Sequence, residues 1–109
     1  MFVYTAFITS VYDGDTVTAD VDLGFHTHCK KLKFRLFGID APEIRGASKI
    51  KGRESRDFLR SLILEKEVTI KSHKDSKGKY GRYLCDLYIG NIHINDEMVK
   101  EGFAVYREY

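Results

Sequence analysis

The sequence predicts an α+β fold that is mainly β: a five-stranded barrel, closed or nearly so, with one longer helix after strand three and a short helix near the C-terminus. Three observations carry this. Apolar residues recur at every second position through much of the chain, the period turns helical only between residues 52 and 64, and Asp-Gly, Gly-Asn and a lone proline stand where strands must turn or stop.

The β-rich run 3–12 is a first strand, and Asp13-Gly14 is a two-residue hairpin signal. Val17, Ala19 and Val21 then alternate with Thr16, Thr18 and Asp20 in a second strand. After a loop over 24–29, Leu32, Phe34 and Leu36 alternate with Lys31, Lys33 and Arg35 until Gly38, and Pro42 ends regular pairing. Phe58, Leu59, Leu62 and Ile63 share one face of the helix predicted over 52–64. Val68 and Ile70 begin a fourth strand, a polar turn spans 75–81, a fifth strand covers 83–89, and Gly90-Asn91 turns the chain back. The last helix has Asn95 as expected N-cap, Asp96 and Glu97 in its first turn where they suit the helix dipole, and Gly102 as its stop. Five short strands that must cover their own edges make the OB barrel the natural candidate.

At 109 residues the chain has room for one domain, expected over 1–109, and none for a Rossmann dehydrogenase or a TIM barrel. With 43% hydrophobic and 31% charged residues and a single proline, it can bury a core without staples. No stretch approaches the ~20 apolar residues of a membrane span, and the N-terminus lacks a secretory pattern. A cytoplasmic monomer with no membrane partner is therefore expected, secreted only if a leader was removed. Cys29 and Cys85 are far apart and belong to no CxxC, so two free thiols are expected. The net charge of +2 decides nothing about nucleic acid; its distribution matters more.

The unusual residues are acidic ones beside turns: Asp13 and Asp15 flanking Gly14, then Asp40 and Glu43 flanking Ala41-Pro42. If the two segments meet at one rim, their carboxylates raise one another's pKa unless a cation sits among them, and an all-oxygen set suits calcium or magnesium rather than zinc. Taken singly, each segment is also an ordinary turn. Arg35 and Arg82 sit where they can flank such an ion, and guanidinium forks bind phosphate oxygens in pairs. The plainer reading of either arginine is an exposed ion pair.

Alternation raises one difficulty. Asp15 falls with Val17, Ala19 and Val21, whereas Arg35 falls with Lys31 and Lys33, so a bulge or a rim position is needed to bring the two together. His26, Thr27, His28 and Cys29 lack the second ligand pair that a structural zinc needs. His73 and His93 have no evident catalytic partner. Arg45, Lys49, Lys51 and Arg53 either track a nucleic-acid backbone or form a solvated face.

Tyr12-Asp13-Gly14-Asp15-Thr16-Val17, Phe34-Arg35-Leu36-Phe37-Gly38-Ile39-Asp40-Ala41-Pro42-Glu43, Lys79-Tyr80-Gly81-Arg82 and Val99-Lys100-Glu101-Gly102-Phe103-Ala104 together resemble the staphylococcal nuclease family, in order and over nearly the whole chain. That resemblance implies a calcium-dependent endonuclease on an OB fold, cutting DNA and RNA to leave 3′-phosphate ends. It implies Asp15, Asp40 and the backbone carbonyl of Ala41 as calcium ligands, with Asp13 a supporting carboxylate. Glu43 is implied as the group that activates water, and Arg35 and Arg82 as the phosphate clamps. Lys79 and Tyr80 are implied as substrate contacts. Tyr106 matches a stacking tyrosine or is an ordinary core or surface residue. Single-stranded or frayed substrate is expected, because a rim cleft reaches a phosphate from one side. Where that family often has an aspartate two residues before the tyrosine of Tyr-Gly-Arg, this chain has Gly78. The rival reading is a non-catalytic module of the same barrel that binds nucleic acid or protein.

Overall fold

The computed structural model describes residues 2–77 and 82–108, with side chains for 3–73 and 82–108. Strands β1 (Phe2–Asp13), β2 (Thr16–Gly24) and β3 (Thr27–Leu36) form an antiparallel meander. After the short β4 (Ile39–Asp40) and a 3₁₀ turn, helix α1 (Lys49–Ile63) leads to β5 (Glu67–Lys77) and β6 (Tyr83–Ile89). The sheet order β3-β2-β1-β5-β6 closes on itself because Phe34, Arg35 and Leu36 of β3 pair in parallel with Tyr83, Leu84 and Cys85 of β6. This is the mixed five-stranded barrel expected, with α1 after strand three and α2 (Ile94–Lys100) near the end. The two-residue β7 (Ile92–His93) extends β6, and β8 (Val105–Tyr106) pairs with β4.

Alternation builds the core directly. Val17, Ala19 and Val21 face Phe34, Leu36, Val68, Ile70, Cys85 and Leu87 inside the barrel, joined by Leu59 and Ile63 from α1 and by Ile94 and Met98 from α2. Each fully buried aliphatic side chain contributes on the order of 2 kcal/mol of transfer free energy. In β1, Ile8 and Val11 are both buried although three positions apart, because the register slips between Ile8 and Ser10. A second slip, between Val11 and Asp13, turns Tyr12 outward, and the Arg60 guanidinium donates to the Val11 carbonyl at 3.1 Å to hold that bend.

Four expectations change. The loop over 24–29 is instead a tight hairpin tip, because Gly24, Phe25 and His26 all take left-handed backbone and let pairing resume at Thr27. The long helix begins three residues earlier than its apolar face suggests, at Lys49, on a turn seeded by Gly46–Ser48. Strand β5 runs on to Lys77 where a turn was expected, and residues 78–81 lie outside the described residues. Asn95 does not cap α2, whose N-cap is His93. It is buried inside the helix, accepting from the Leu87 amide at 3.0 Å and donating to the Phe37 and Cys85 carbonyls at 2.9 and 3.1 Å. That side chain ties the end of β3, β6 and α2 together. Gly102 does stop the helix: at φ 85° it donates to Val99 while Phe103 donates to Met98, a Schellman closure. Both cysteines are free thiols, and burial pushes the Cys85 thiol far up. Among the described residues no helix is long and apolar enough to cross a membrane.

Candidate active site

The β1–β2 turn and the segment after β3 meet at one rim of the barrel. Asp13 pairs with Thr16 across the turn, and its carboxylate accepts from the Asp15 amide at 3.1 Å, so Gly14 and Asp15 are the turn itself. Asp15 therefore lies outside the alternation of β2, which resolves the difficulty over parity: the ladder runs regularly through Thr16–Arg35 and Val17–Phe34, and the irregularity lies in the rim turn and the slip in β1. The Leu36 amide donates to the Asp15 carbonyl at 2.8 Å and locks the turn against β3.

Gly14 is needed here for room, since a Cβ on it would collide with the Ser55 hydroxyl and the Ala41 side chain. Gly52 stands likewise against the Glu43 carbonyl, and Ser55 donates to the Phe103 carbonyl at 2.8 Å. Helix α1 thus presses a small-residue face onto both acidic segments. The sequence showed a helical glycine there but not what it makes room for.

The Arg35 guanidinium joins the two segments. It is buried and reaches Asp15 Oδ2 at 3.3 Å and Asp40 Oδ1 at 2.5 Å, and it also donates to the Ile39 carbonyl at 3.0 Å. Asp15 is buried too; its Oδ2 accepts from the Ala41 amide at 2.9 Å and its Oδ1 from the Thr16 hydroxyl at 3.1 Å. That hydroxyl accepts in turn from Arg82 Nη1 at 3.2 Å, so Thr16, unremarked as a functional residue in the sequence, links the second arginine to the first acidic segment. Asp40 is held from its other side by the β4–β8 pairing and lies 3.6 Å from Arg107 Nη1.

These residues line a cleft of about 890 Å³. Asp13, Asp15, Arg35, Asp40, Ala41, Glu43 and Arg82 all face it, with Glu43 exposed at its wall. Tyr12, Lys33 and Arg107 also line it, as does Arg45 from the basic run. Tyr12 and Arg107 flank predicted site residues, and Lys33 shares the parity of Arg35, which is the signal that could have found them. Tyr106 is not brought in: it is exposed, and its hydroxyl donates to Asp96 at 3.2 Å. Lys79 and Tyr80 lie outside the described residues.

Electrostatics set Asp13 apart. Burial pushes its carboxyl up to about 7, and the hydrogen bond and charge of Asp15 push in the same direction. A carboxyl made reluctant to ionise beside another is an environment that a hard cation relieves. The donors are all oxygen, and one guanidinium already reaches both Asp15 and Asp40, so the set fits calcium in chemistry. Among the described residues no group of three His, Cys, Asp or Glu side chains is gathered as a metal cluster.

His73 and His93, read from the sequence as structural and without a partner of catalytic type, share Asp86: each Nε2 lies 2.7 Å from one of its oxygens. His93 Nδ1 lies 2.8 Å from Asp96, which also takes the Tyr106 hydroxyl. Only the doubly protonated ring donates from both nitrogens. Burial would lower the His93 pKa, but the hydrogen bonds from Asp96 and Asp86 outweigh it and raise it, while His93 lowers that of Asp96.

A family profile described as "Staphylococcal nuclease homologue" matches residues 33–109, which carry Arg35, Asp40, Glu43 and Arg82. The chain is 30% identical over 105 residues to the thermonuclease of Staphylococcus hyicus, covering 94% of this chain and 59% of that protein. It is 35% identical over 106 residues to an "Uncharacterized endonuclease" of Haemophilus influenzae, covering 96% of this chain and 54% of that one. A "Probable staphylococcal-like nuclease" of Oryza sativa subsp. japonica is 40% identical over 75 residues, 69% of this chain but 19% of the plant protein. The chain thus spans less than two thirds of the length of these relatives.

Proposed function

The chain belongs to the staphylococcal nuclease homologue family, and from that premise we propose that it is a calcium-dependent endonuclease that hydrolyses phosphodiester bonds of DNA and RNA and leaves 3′-phosphate ends. The observation that carries the reading is the convergence of Asp15, Asp40, Arg35, Glu43 and Arg82 on one cleft. Asp15, Asp40 and the Ala41 carbonyl would hold the ion, with Asp13 behind them. Bound there, calcium supplies a Lewis acid that draws charge from a phosphate oxygen.

Arg35 and Arg82 orient the scissile phosphate and stabilise the charge that grows on it under attack. Arg35 is held for this by Asp15, Asp40 and the Ile39 carbonyl, so little reorganisation is required of it. Glu43, exposed at the cleft wall, takes the proton of the attacking water. The cleft opens at the rim, so it approaches a phosphate from one side and favours a single or frayed strand.

A nicking assay on supercoiled plasmid and on single-stranded RNA, with calcium and then with chelator, tests the reading. Cutting that requires calcium is expected. Folded protein that binds the strand and cuts neither substrate would place the chain among the non-catalytic modules of this barrel.

A further inference from the structure

Beyond the barrel wall, the ends of β2 and β3 continue as a two-stranded arm in which residues 22–28 are exposed. At the tip stands Phe25, 100% exposed. Its φ of 53° is one that asparagine or glycine adopts readily and phenylalanine does not, and His26 beside it has φ 60°. Among the described residues nothing packs on the ring to offset that conformation. Leu23 is also exposed next to the tip.

The arm is continuous with the cleft. The register pairs Thr16 with Arg35 and Thr18 with Lys33, so these four share the outer face, and all four line the cleft. Farther out Asp22 pairs with His28, and Lys30 and Lys31 are exposed. The two acidic residues of the arm are engaged in shaping it: Asp22 accepts from the Gly24 amide at 2.8 Å and Asp20 from the Lys31 amide at 2.9 Å. Both carboxylates keep their charge in those bonds, but Lys30, Lys31 and Lys33 outnumber them, so the net sign along this face is opposite to that of a phosphate backbone.

We propose that this hairpin is a substrate arm: a single nucleic-acid strand seated in the cleft runs outward past Lys33 and stacks a base on the Phe25 ring. The proposal rests on the nuclease reading for the cleft and adds a second contact remote from the chemistry. Ten residues of chain, most of them in β3, separate Arg35 from Phe25, roughly 30 Å at the rise of a strand. That distance places the stacked base several nucleotides from the scissile phosphate, within the ~4–16 nucleotides that such barrels bind. An exposed aromatic at the end of a lysine-bearing track is a platform for unpaired bases, because every base offers a face to stack.

The test compares fluorescence anisotropy of two labelled single strands, one of about 30 nucleotides and one trinucleotide too short to reach the arm, in chelator where neither is cut. Phe25→Asn suits the left-handed turn and so preserves the hairpin, and Phe25→Trp restores a ring. Expected is an approximately five- to tenfold weaker Kd of Phe25→Asn for the long strand, recovery in Phe25→Trp, and an unchanged Kd for the trinucleotide. A long-strand Kd within about twofold of wild type, or an equal loss on both probes, would overturn the proposal. Cutting by the wild-type protein is followed separately. Cutting with unaffected Phe25→Asn binding removes the arm and leaves the nuclease reading standing; weakened binding without cutting does the reverse.

Discussion

Replacing Arg35 by alanine distinguishes a group that only meets substrate from one that also holds the fold. The guanidinium is 9% exposed and contacts Asp15, Asp40 and the Leu36 and Ile39 carbonyls. Removing it strips a buried carboxylate, Asp15, of its counter-charge, a loss of about 3–5 kcal/mol where the remaining charge stays buried. Asp15 keeps its bonds from Thr16 and Ala41, and the side chain of Asp40 is 47% exposed and can hydrate, so the low end applies, ~3 kcal/mol. With a urea slope of ~1.5 kcal/mol/M, the unfolding midpoint falls by ~2 M. For Arg82, half-buried, loss of the bond to the Thr16 hydroxyl alone accounts for ~1 kcal/mol on replacement by alanine. The assay is urea denaturation in calcium-free buffer at pH 7, with turnover measured alongside. Both variants lose most turnover; an Arg35→Ala midpoint within ~0.5 M of wild type would refute the structural half of the argument.

Gly52→Ala should destabilise by ~1–3 kcal/mol although alanine is the better helix former, because its methyl group collides with the Glu43 carbonyl; chemical denaturation measures the loss, and kcat should fall as Glu43 is displaced. Asp13, with a carboxyl raised to about 7, binds more protons folded than unfolded, so calcium-free stability falls as pH rises from about 4 to 7. Asp13→Asn should remove that slope in pH-dependent melting curves, and calcium should flatten it in the wild type. For His93 the folded pKa is raised, so its contribution is full below the ordinary value of about 6.5 and is lost as pH rises through the folded value. For Asp96 the folded pKa is lowered, so its contribution is present above about 3.8 and is lost as pH falls through the folded value. Melting of His93→Gln against wild type should therefore differ most between about pH 4 and 6.5 and converge in alkali.

How much was legible in the sequence depended on whether a signal was local. Alternation in 16–21 and 32–36 is a property of neighbouring residues, and it located the strands and their core faces. The acidic turns were legible for the same reason, and so were the two arginines that flank them. Parity misled at Asp15 because that residue belongs to the turn, where the two-residue period no longer applies. The hairpin tip was hidden because Phe25 and His26 adopt a backbone that their side chains disfavour. Asn95 looked like a cap because that preference is local, whereas its three partners come from β6 and from Phe37, just beyond β3. The pairing of His73 and His93 through Asp86 depends on strands that meet only once the barrel closes.

The pairing of Asp40 with Val105 bears on when the protein becomes competent during synthesis. Chains emerge from the ribosome in order, and contacts between distant residues form last. The strand that secures one wall of the cleft against β4 is made long after β4 itself, and the Phe34–Tyr83 seam likewise waits for β6. A growing chain therefore exposes its first acidic turn well before it can assemble the rest of the machinery. For an enzyme of the proposed kind, the cleft is complete only after both later strands have joined the barrel, so competence follows closure rather than the appearance of the first acidic turn.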